Sequence, residues 1–191
     1  MRSSRRFALA LALLCTKSVH AGQDNLDSLM NLLAQRAHGH VTFVEQQYLA
    51  LLDRPVQSSG ELLYDRPDRL EKRTLAPRPE SLILEHGSLT IQYGLRTHVL
   101  ALRDYPQIAP FVESIRAILA GDRAALEQIF QVTFDGSLDK WTLSLVPLDS
   151  KAKSVVQQIR IDGRRDELHA VEIRQADGDH SVMTINSSIA P

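Results

Sequence analysis

The sequence predicts an α+β protein built on one large antiparallel sheet of about 10–11 strands, covered by helices. Three observations predict it. Short runs rich in apolar and β-branched residues recur from Val41 to Leu102 and again from Val132 to Asn186. Hairpin-length turns join these runs, which requires antiparallel neighbours rather than strand–helix–strand crossovers. Between the two β halves, residues 108–130 switch to helical spacing. A single sheet of that many strands must curl, and its concave face then needs a cover. The segment 108–130 is the apolar helical surface between the halves.

The chain opens MRSSRRFALALALLCTKSVHAGQ. Arg2, Arg5 and Arg6 precede a short apolar run, Phe7 to Leu14, and Val19-His20-Ala21 supplies small residues before a cleavage expected after Ala21. The run is too short for a bilayer-crossing helix, which needs about 20 apolar residues. Residues 1–21 are therefore expected to be an export signal, and residues 22–191 one exported domain. The leader takes the only cysteine with it, which excludes a disulfide framework, a thiol nucleophile and a cysteine metal site. It also removes four of 22 basic residues and no acid, leaving 18 against 23, a net −5 that does not favour nucleic acid.

Asn25 to Ala37 reads as an amphipathic helix through Leu26, Leu29, Met30, Leu32 and Leu33, with Asp24 or Asn25 as cap and Gly39 as stop. Val41–Leu52, Val56–Tyr64, Asp68–Leu75, Ser81–Glu85, Leu89–Tyr93 and Thr97–Leu102 read as strands. Asp53-Arg54-Pro55, Arg66-Pro67, Pro77/Pro79, His86-Gly87 and Gly94 punctuate them. Ile108, Phe111, Val112, Ile115, Ile118 and Leu119 make one helical stripe. Gly121-Asp122 breaks it, with Asp122 capping a second short helix, 124–130. Strands resume at Val132–Asp135, Trp141–Val146, Val155–Ile161, Leu168–Gln175 and Ser181–Asn186, with turns at Asp135-Gly136, Asp162-Gly163 and Asp177-Gly178.

The sequence carries no Gly-x-Ser-x-Gly elbow, no His-Glu-x-x-His and no phosphate-cradling glycine loop, so neither an enzyme nor a cofactor is expected. Of seven histidines, the only close pair outside the leader, His38-Gly39-His40, reads as a helix end and turn, not a metal site. Asp166-Glu167 reads as a solvated turn. One stretch is anomalous: from Asp65 to Thr74 the only large apolar side chain is Leu70, among Arg66, Arg69, Lys72 and Arg73.

Several segments, in this order and spacing, resemble the LolA family of periplasmic carriers of outer-membrane lipoproteins. They are "VTFVEQ" with Phe43, "GELLYDRP" with Gly60, Leu62, Tyr64, Arg66 and Pro67, "PESLILEHGSLTIQY", "WTLSLVP" and "IRIDGRRDELHAVEI". Three departures accompany the match: His86 stands for an aspartate before Gly87, Gln92 for an aromatic, and the chain ends at Pro191 without the carriers' C-terminal extension.

The resemblance implies a strongly curved, incomplete β-barrel whose apolar hollow is closed by helices forming a lid over the acyl chains of a lipoprotein, another lipid or a lipid-linked pigment. It implies an inner-membrane donor complex, an outer-membrane acceptor, transient membrane contact and a monomeric shuttle. Arg66 matches the family arginine implicated in latching the lid and releasing cargo; Arg69, Lys72 and Arg73 are expected on the rim or outer face. Cargo-facing candidates are Phe43, Leu63, Leu70, Ile91, Phe111, Ile115, Ile118, Leu119, Trp141 and Leu143, each of which could equally be plain core. A sensor of lipid or mislocalised lipoprotein, signalling to a membrane partner without transport, is the alternative.

Overall fold

Eleven strands form one antiparallel sheet in the computed structural model, which describes residues 20–105 and 109–186, with side chains from Asn25 onward except that of Pro110. The elements in chain order are α1 (His20–Leu33), β1 (His38–Tyr48), β2 (Val56–Asp65), β3 (Arg69–Ala76), β4 (Glu80–Glu85), β5 (Ser88–Tyr93) and β6 (Arg96–Ala101). There follow a 3-10 turn (Leu102–Asp104), α2 (Ala109–Ala120), α3 (Arg123–Ile129), β7 (Phe130–Ser137), β8 (Lys140–Pro147), α4 (Ser150–Lys153), β9 (Val156–Arg164), β10 (Glu167–Gln175) and β11 (His180–Asn186). Spatial order is β6-β5-β4-β3-β2-β1-β11-β10-β9-β8-β7. Pairing of β1 with β11 joins the two meanders, and β6 and β7 are left as edges. The sheet is therefore open, and the chain passes from one edge to the other through α2 and α3.

The expected leader lies outside the described residues except for His20 and Ala21, which are already helical. Among the described residues no helix is long and apolar enough to cross a membrane. Helix α1 starts before Asp24 and Asn25, so neither caps it, and it ends at Leu33 rather than Ala37. The Ala34 and Arg36 amides close the last turn on Met30 and Leu33 carbonyls. Gly39 is not the stop: the His38-Gly39-His40 stretch belongs to β1, where it pairs with Asp65, Tyr64 and Leu63. The α2–α3 break falls where expected, and the Asp122 side chain accepts a bond from the Ala125 amide. Helix α4, with Asp149 capping the Lys151 and Ala152 amides, is absent from the sequence reading because it is only four residues long.

Helix α1 presents Leu26, Leu29, Met30 and Leu33 at helical spacing, and all four are buried. They pack with Ala117 and Ile118 of α2, Leu126 of α3, and the inward residues of β7 to β9, among them Phe130, Leu143, Leu145, Ile159 and Ile161. Helices α1 and α3 lie on β7, and α2 lies on both. Strand β8 alternates strictly, burying Trp141, Leu143, Leu145 and Pro147. Two Asp-Gly pairs expected as turns are instead strand residues. Gly163 faces Trp141 across the β8–β9 ladder, and a Cβ there would lie 2.2 Å from the indole Cζ2. The ring occupies that gap, and its Nε1 donates to the Arg165 carbonyl at 2.9 Å. Gly136 opposes Trp141 from β7, so the turns shift outward to residues 138–139 and 165–166.

The other side of the sheet carries the charges. Glu71 is buried at 6% exposure, yet it accepts from Arg73 at 2.9 Å, Arg69 at 3.0 Å and Ser81 Oγ at 2.9 Å. Arg73 continues to Glu61 at 3.3 Å and Arg69 to Glu85 at 3.2 Å. A second cluster on the C-terminal half joins Asp162 to Thr142 at 2.5 Å and to Arg160 at 3.2 Å. Burial opposes the charge on Glu71, but the bonds from Ser81 and Arg73 and the charges of Arg73 and Arg69 outweigh it and hold its pKa below the usual carboxylate value. A carboxylate depressed in the folded state contributes stability that is present above its unfolded pKa and is lost as pH falls through the folded value.

Two outcomes follow. Gly163→Ala forces the indole out of its gap, so it should cost about 1–3 kcal/mol in urea unfolding and red-shift the emission of the single tryptophan. Glu71→Gln should leave a shallower loss of stability below the carboxylate range than the native protein shows, measured as urea midpoints between pH 7 and about pH 3.

Candidate functional site

The side of the sheet that bears the helices differs between its two halves. Registers place Tyr64, Leu70, Leu84, Leu89 and Leu100 in one row across β2 to β6. A second row, one pleat away, contains Val41, Leu62, Lys72, Leu82, Ile91 and His98. Phe43, one pleat further along β1, opposes Gly60 on β2 and Ile185 on β11. In the first row Tyr64 and Leu84 are buried while Leu70, Leu89 and Leu100 are only half-buried; in the second Leu62, Leu82 and Ile91 are half-buried too. The same side of β8 and β9 is dry core beneath the helices.

Within this apolar expanse sits one ion pair. Glu45 is 5% exposed, and its Oε2 accepts from Lys72 Nζ at 2.5 Å and from Ser58 Oγ at 3.4 Å. Lys72 Nζ also stands over the Phe43 ring, 5.1 Å from its centroid. Lys72 was expected on the rim or outer face; it points to the helix-bearing side because it shares the register of Leu62 and Leu82. A carboxylate and an aromatic face together satisfy the ammonium, which lets a charge lie among leucines without the cost of an unpaired one. Arg69 and Arg73 do lie on the outer side, within the Glu71 cluster.

The expected cargo-facing residues separate into groups. Phe43, Leu70 and Ile91 belong to the helix-bearing side of β1, β3 and β5. Leu63 does not: it shares the register of His40 and Glu71, on the opposite side. Ile118, Trp141 and Leu143 are packed in the core with α1 and α3, and Phe111 is half-buried with its ring 6.2 Å from that of Phe130. Ile115 is 42% exposed. The helix is turned so that Ser114 is buried instead, its hydroxyl donating to the Phe111 carbonyl at 2.7 Å. Leu119 is half-buried, and Ile108 lies outside the described residues. Leu62, Leu82, Leu84 and Leu89 were missed; the parity of β2, read from Tyr64 and from Phe43 opposite Gly60, would have selected Leu62 over Leu63.

At the end of β2 the sheet is tied to the helices. Arg66 Nη1 donates to the Ala34 carbonyl, just past α1, at 2.6 Å, and the Arg66 amide donates to the Ala37 carbonyl at 3.0 Å. Tyr64 Oη reaches the Leu119 carbonyl of α2 at 3.4 Å. Burial pushes the Tyr64 phenol pKa up against the opposing effect of Arg66, so it remains a donor at neutral pH. Gly121, between α2 and α3, adopts φ +68 and approaches α1 so closely that a Cβ would lie 2.2 Å from the Met30 carbonyl oxygen. A groove of about 230 Å³ between the Pro67 turn and helices α2 and α3, lined by Pro67, Glu113, Arg116, Ala117, Gln128 and Ile129 among others, is smaller than a typical ligand site and partly charged.

The arrangement provides apolar surface, and among the described residues no group of three or more His, Cys, Asp or Glu could hold a metal. The profile of the family described as "Outer membrane lipoprotein carrier protein LolA-like" matches residues 18–189. No curated protein matches the sequence. The chain resembles a DUF1329-family protein of Desulfovibrio piger, with 12% identity over 88% of this chain and 91% of that one and a TM-score of 0.50. It also resembles a LolA-superfamily protein of Nitrosomonas europaea, with 11% identity over 89% and 94% of the chains and a TM-score of 0.44. A third likeness is to the MucA/MucB complex of Pseudomonas aeruginosa, with 15% identity over 90% of this chain and 58% of that one and a TM-score of 0.49. With a family profile spanning residues 18–189 and an open eleven-stranded antiparallel sheet beneath it, this chain belongs to the LolA-like family.

Proposed function

We propose that the protein is a periplasmic carrier that holds the acyl chains of a lipoprotein or other lipid against the helix-bearing side of β2 to β5. The observation that carries this reading is the contrast within one sheet: β8 and β9 are sealed under helices, while Leu62, Leu70, Leu82, Leu89 and Ile91 are left half-buried. Within β2 to β5, five leucines and Ile91, half-buried or buried in two adjacent rows, offer a strip of contact to an extended alkyl chain. Each methylene withdrawn from water contributes about 0.8 kcal/mol, so a chain of some 14 methylenes is stabilised by on the order of 11 kcal/mol when covered. Cargo of that kind does not cross an aqueous compartment unaccompanied.

Release demands the opposite property. A carrier must close over cargo and reopen, so its closed form can be favoured only modestly. The bonds from Arg66 to the Ala34 carbonyl and from Tyr64 to the Leu119 carbonyl supply such a latch between the sheet and the helices. Each is a single hydrogen bond to a backbone oxygen, worth at most about 3 kcal/mol for the charged Arg66 and less than about 1.5 kcal/mol for the longer Tyr64 contact, weak enough to be broken at an acceptor.

Native mass spectrometry of the protein taken from its own periplasm tests the reading. Co-purified acyl material that transfers to outer-membrane vesicles supports carriage; an empty protein that tightly holds a periplasmic domain of a membrane protein supports the sensor alternative. Leu82→Glu, in the middle of the second row, should lower affinity for a fluorescent fatty acid at least about tenfold, as a charge placed in the acyl strip must be desolvated by cargo. Arg66→Leu should bind cargo with the fold intact and fail to release it to an acceptor membrane. Transfer at the native rate by Arg66→Leu would remove this arginine from the mechanism.

A further inference from the structure

Because every strand runs antiparallel to its neighbours, alternate connections collect at the same end of the sheet. The end opposite Arg66 holds the β1–β2, β3–β4, β5–β6, β8–β9 and β10–β11 connections. Nine large hydrophobic side chains are exposed among the described residues, and seven of them lie in or beside those connections. Leu51 and Leu95, at the β1–β2 and β5–β6 tips, are 97% and 106% exposed; Leu52 and Leu75 are exposed by 51% and 53%. The other two, Val99 and Ile115, are in a strand and a helix, so among the described residues the turns at the Arg66 end carry none.

Each of the three N-terminal tips also carries an exposed arginine: Arg54, Arg78 and Arg96. None of these three forms an ion pair among the described residues; Arg66, Arg164 and Arg165 at the other end form none either, so it is the arginines together with the exposed leucines that set this end apart. Three acidic side chains at this end are turned onto backbone amides: Asp149 caps the Lys151 and Ala152 amides, Asp177 accepts from the Asp179 amide, and Asp179 accepts from the Ala50 amide of the neighbouring β1–β2 connection. Asp53 remains exposed beside Arg54. The three tips are two strands apart, so they span roughly 20 Å along the sheet edge.

Separate convex tips of this kind form neither the groove nor the continuous apolar patch that a folded partner packs against. They do match a fluid phase that closes around each one, with guanidinium groups left at the depth of the phosphates. We propose that this end of the sheet docks on an anionic lipid surface, with Leu51, Leu52 and Leu95 entering between head groups and Arg54, Arg78 and Arg96 binding lipid phosphate. The proposal goes beyond the carrier reading, since a lipid sensor would need the same contact, and of the residues it names only Arg96, one pleat from the Ile91–His98 pair, neighbours the acyl strip.

Sedimentation with vesicles tests it, using protein purified after export and in the same form for every variant. The native protein should pellet with vesicles of phosphatidylcholine and phosphatidylglycerol at 7:3 and at least about tenfold less with phosphatidylcholine alone. The double variant Leu51→Asp/Leu95→Asp should lose at least about tenfold in partitioning, as each leucine contributes roughly that factor. Arg54→Gln/Arg78→Gln/Arg96→Gln should lose the preference for phosphatidylglycerol. All these side chains are exposed, so circular dichroism and fatty-acid binding should stay native, and a failure of acyl binding would leave this result standing by itself. Native protein that stays in solution with both vesicle types, or Leu51→Asp/Leu95→Asp that pellets like native, would overturn the proposal. So would a dimer in sedimentation velocity that this double variant dissociates, since the tips would then cover one another.

Discussion

Burial of one stripe of α1, with parts of α2 and α3, on β7 to β10 is the interaction on which the architecture rests. It brings Leu26, Leu29, Met30 and Leu33 together with Leu126, Leu143, Leu145, Ile159 and Ile161 in one dry cluster. An antiparallel sheet needs one covered side to be stable, and the helices supply cover for only part of this one. The rest of the sheet is held through continuous pairing, β1 to β11 on one flank and β1 to β2 on the other. Stability is thus concentrated in the C-terminal half, which frees the N-terminal half to keep apolar side chains incompletely covered. Apolar surface left partly uncovered costs stability, and the sealed half offsets the cost.

The charges of β3 have two different explanations, separated by one residue of register. Arg69, Glu71 and Arg73 alternate onto the outer side, where the buried Glu71 is surrounded by two guanidiniums and a hydroxyl. Lys72 falls between them onto the inner side and pairs with Glu45 over the Phe43 ring. A ladder of alternating charges on the outer side does the pinning that large apolar residues do elsewhere, because like neighbours would repel and only this register places each arginine beside an acid. The N-terminal meander can therefore hold its register with little core of its own.

Much of this was legible in the sequence because the determinants are local. Strand ends at Pro55, Pro67, Pro77, Gly87 and Gly94, the Asp122 cap, and the WTLSLVP alternation all act within a few residues. What was not legible depends on partners across the sheet. Gly163 looks like a turn residue until Trp141 is seen to need the space beside it, and Gly136 until its positive φ and its close approach to the Lys140 backbone are seen. Leu62 and Leu63 are equivalent in composition, and it is parity with Tyr64, which pairing puts opposite Leu70 on the helix-bearing side, that decides which faces inward. Ser114 buried in place of Ile115 reflects a helix rotation set by packing on α1 and α3, which no stripe of hydrophobic residues on α2 alone could reveal. Arg66 and its acceptors at Ala34 and Ala37 are about thirty residues apart in sequence, so the residue was visible and its bonds were not.

Methyl NMR with a nitroxide-labelled fatty acid bears most directly on the claim that the uncovered half of one sheet side is the acyl site. Paramagnetic broadening should be strongest at Leu62, Leu70, Leu82, Leu89 and Ile91, with Leu143, Leu145, Ile159 and Ile161 left sharp because no alkyl chain enters the sealed half. Broadening confined to the residues beneath α1 and α3, or strongest at Leu63 and Ile83 on the charged side, would contradict it.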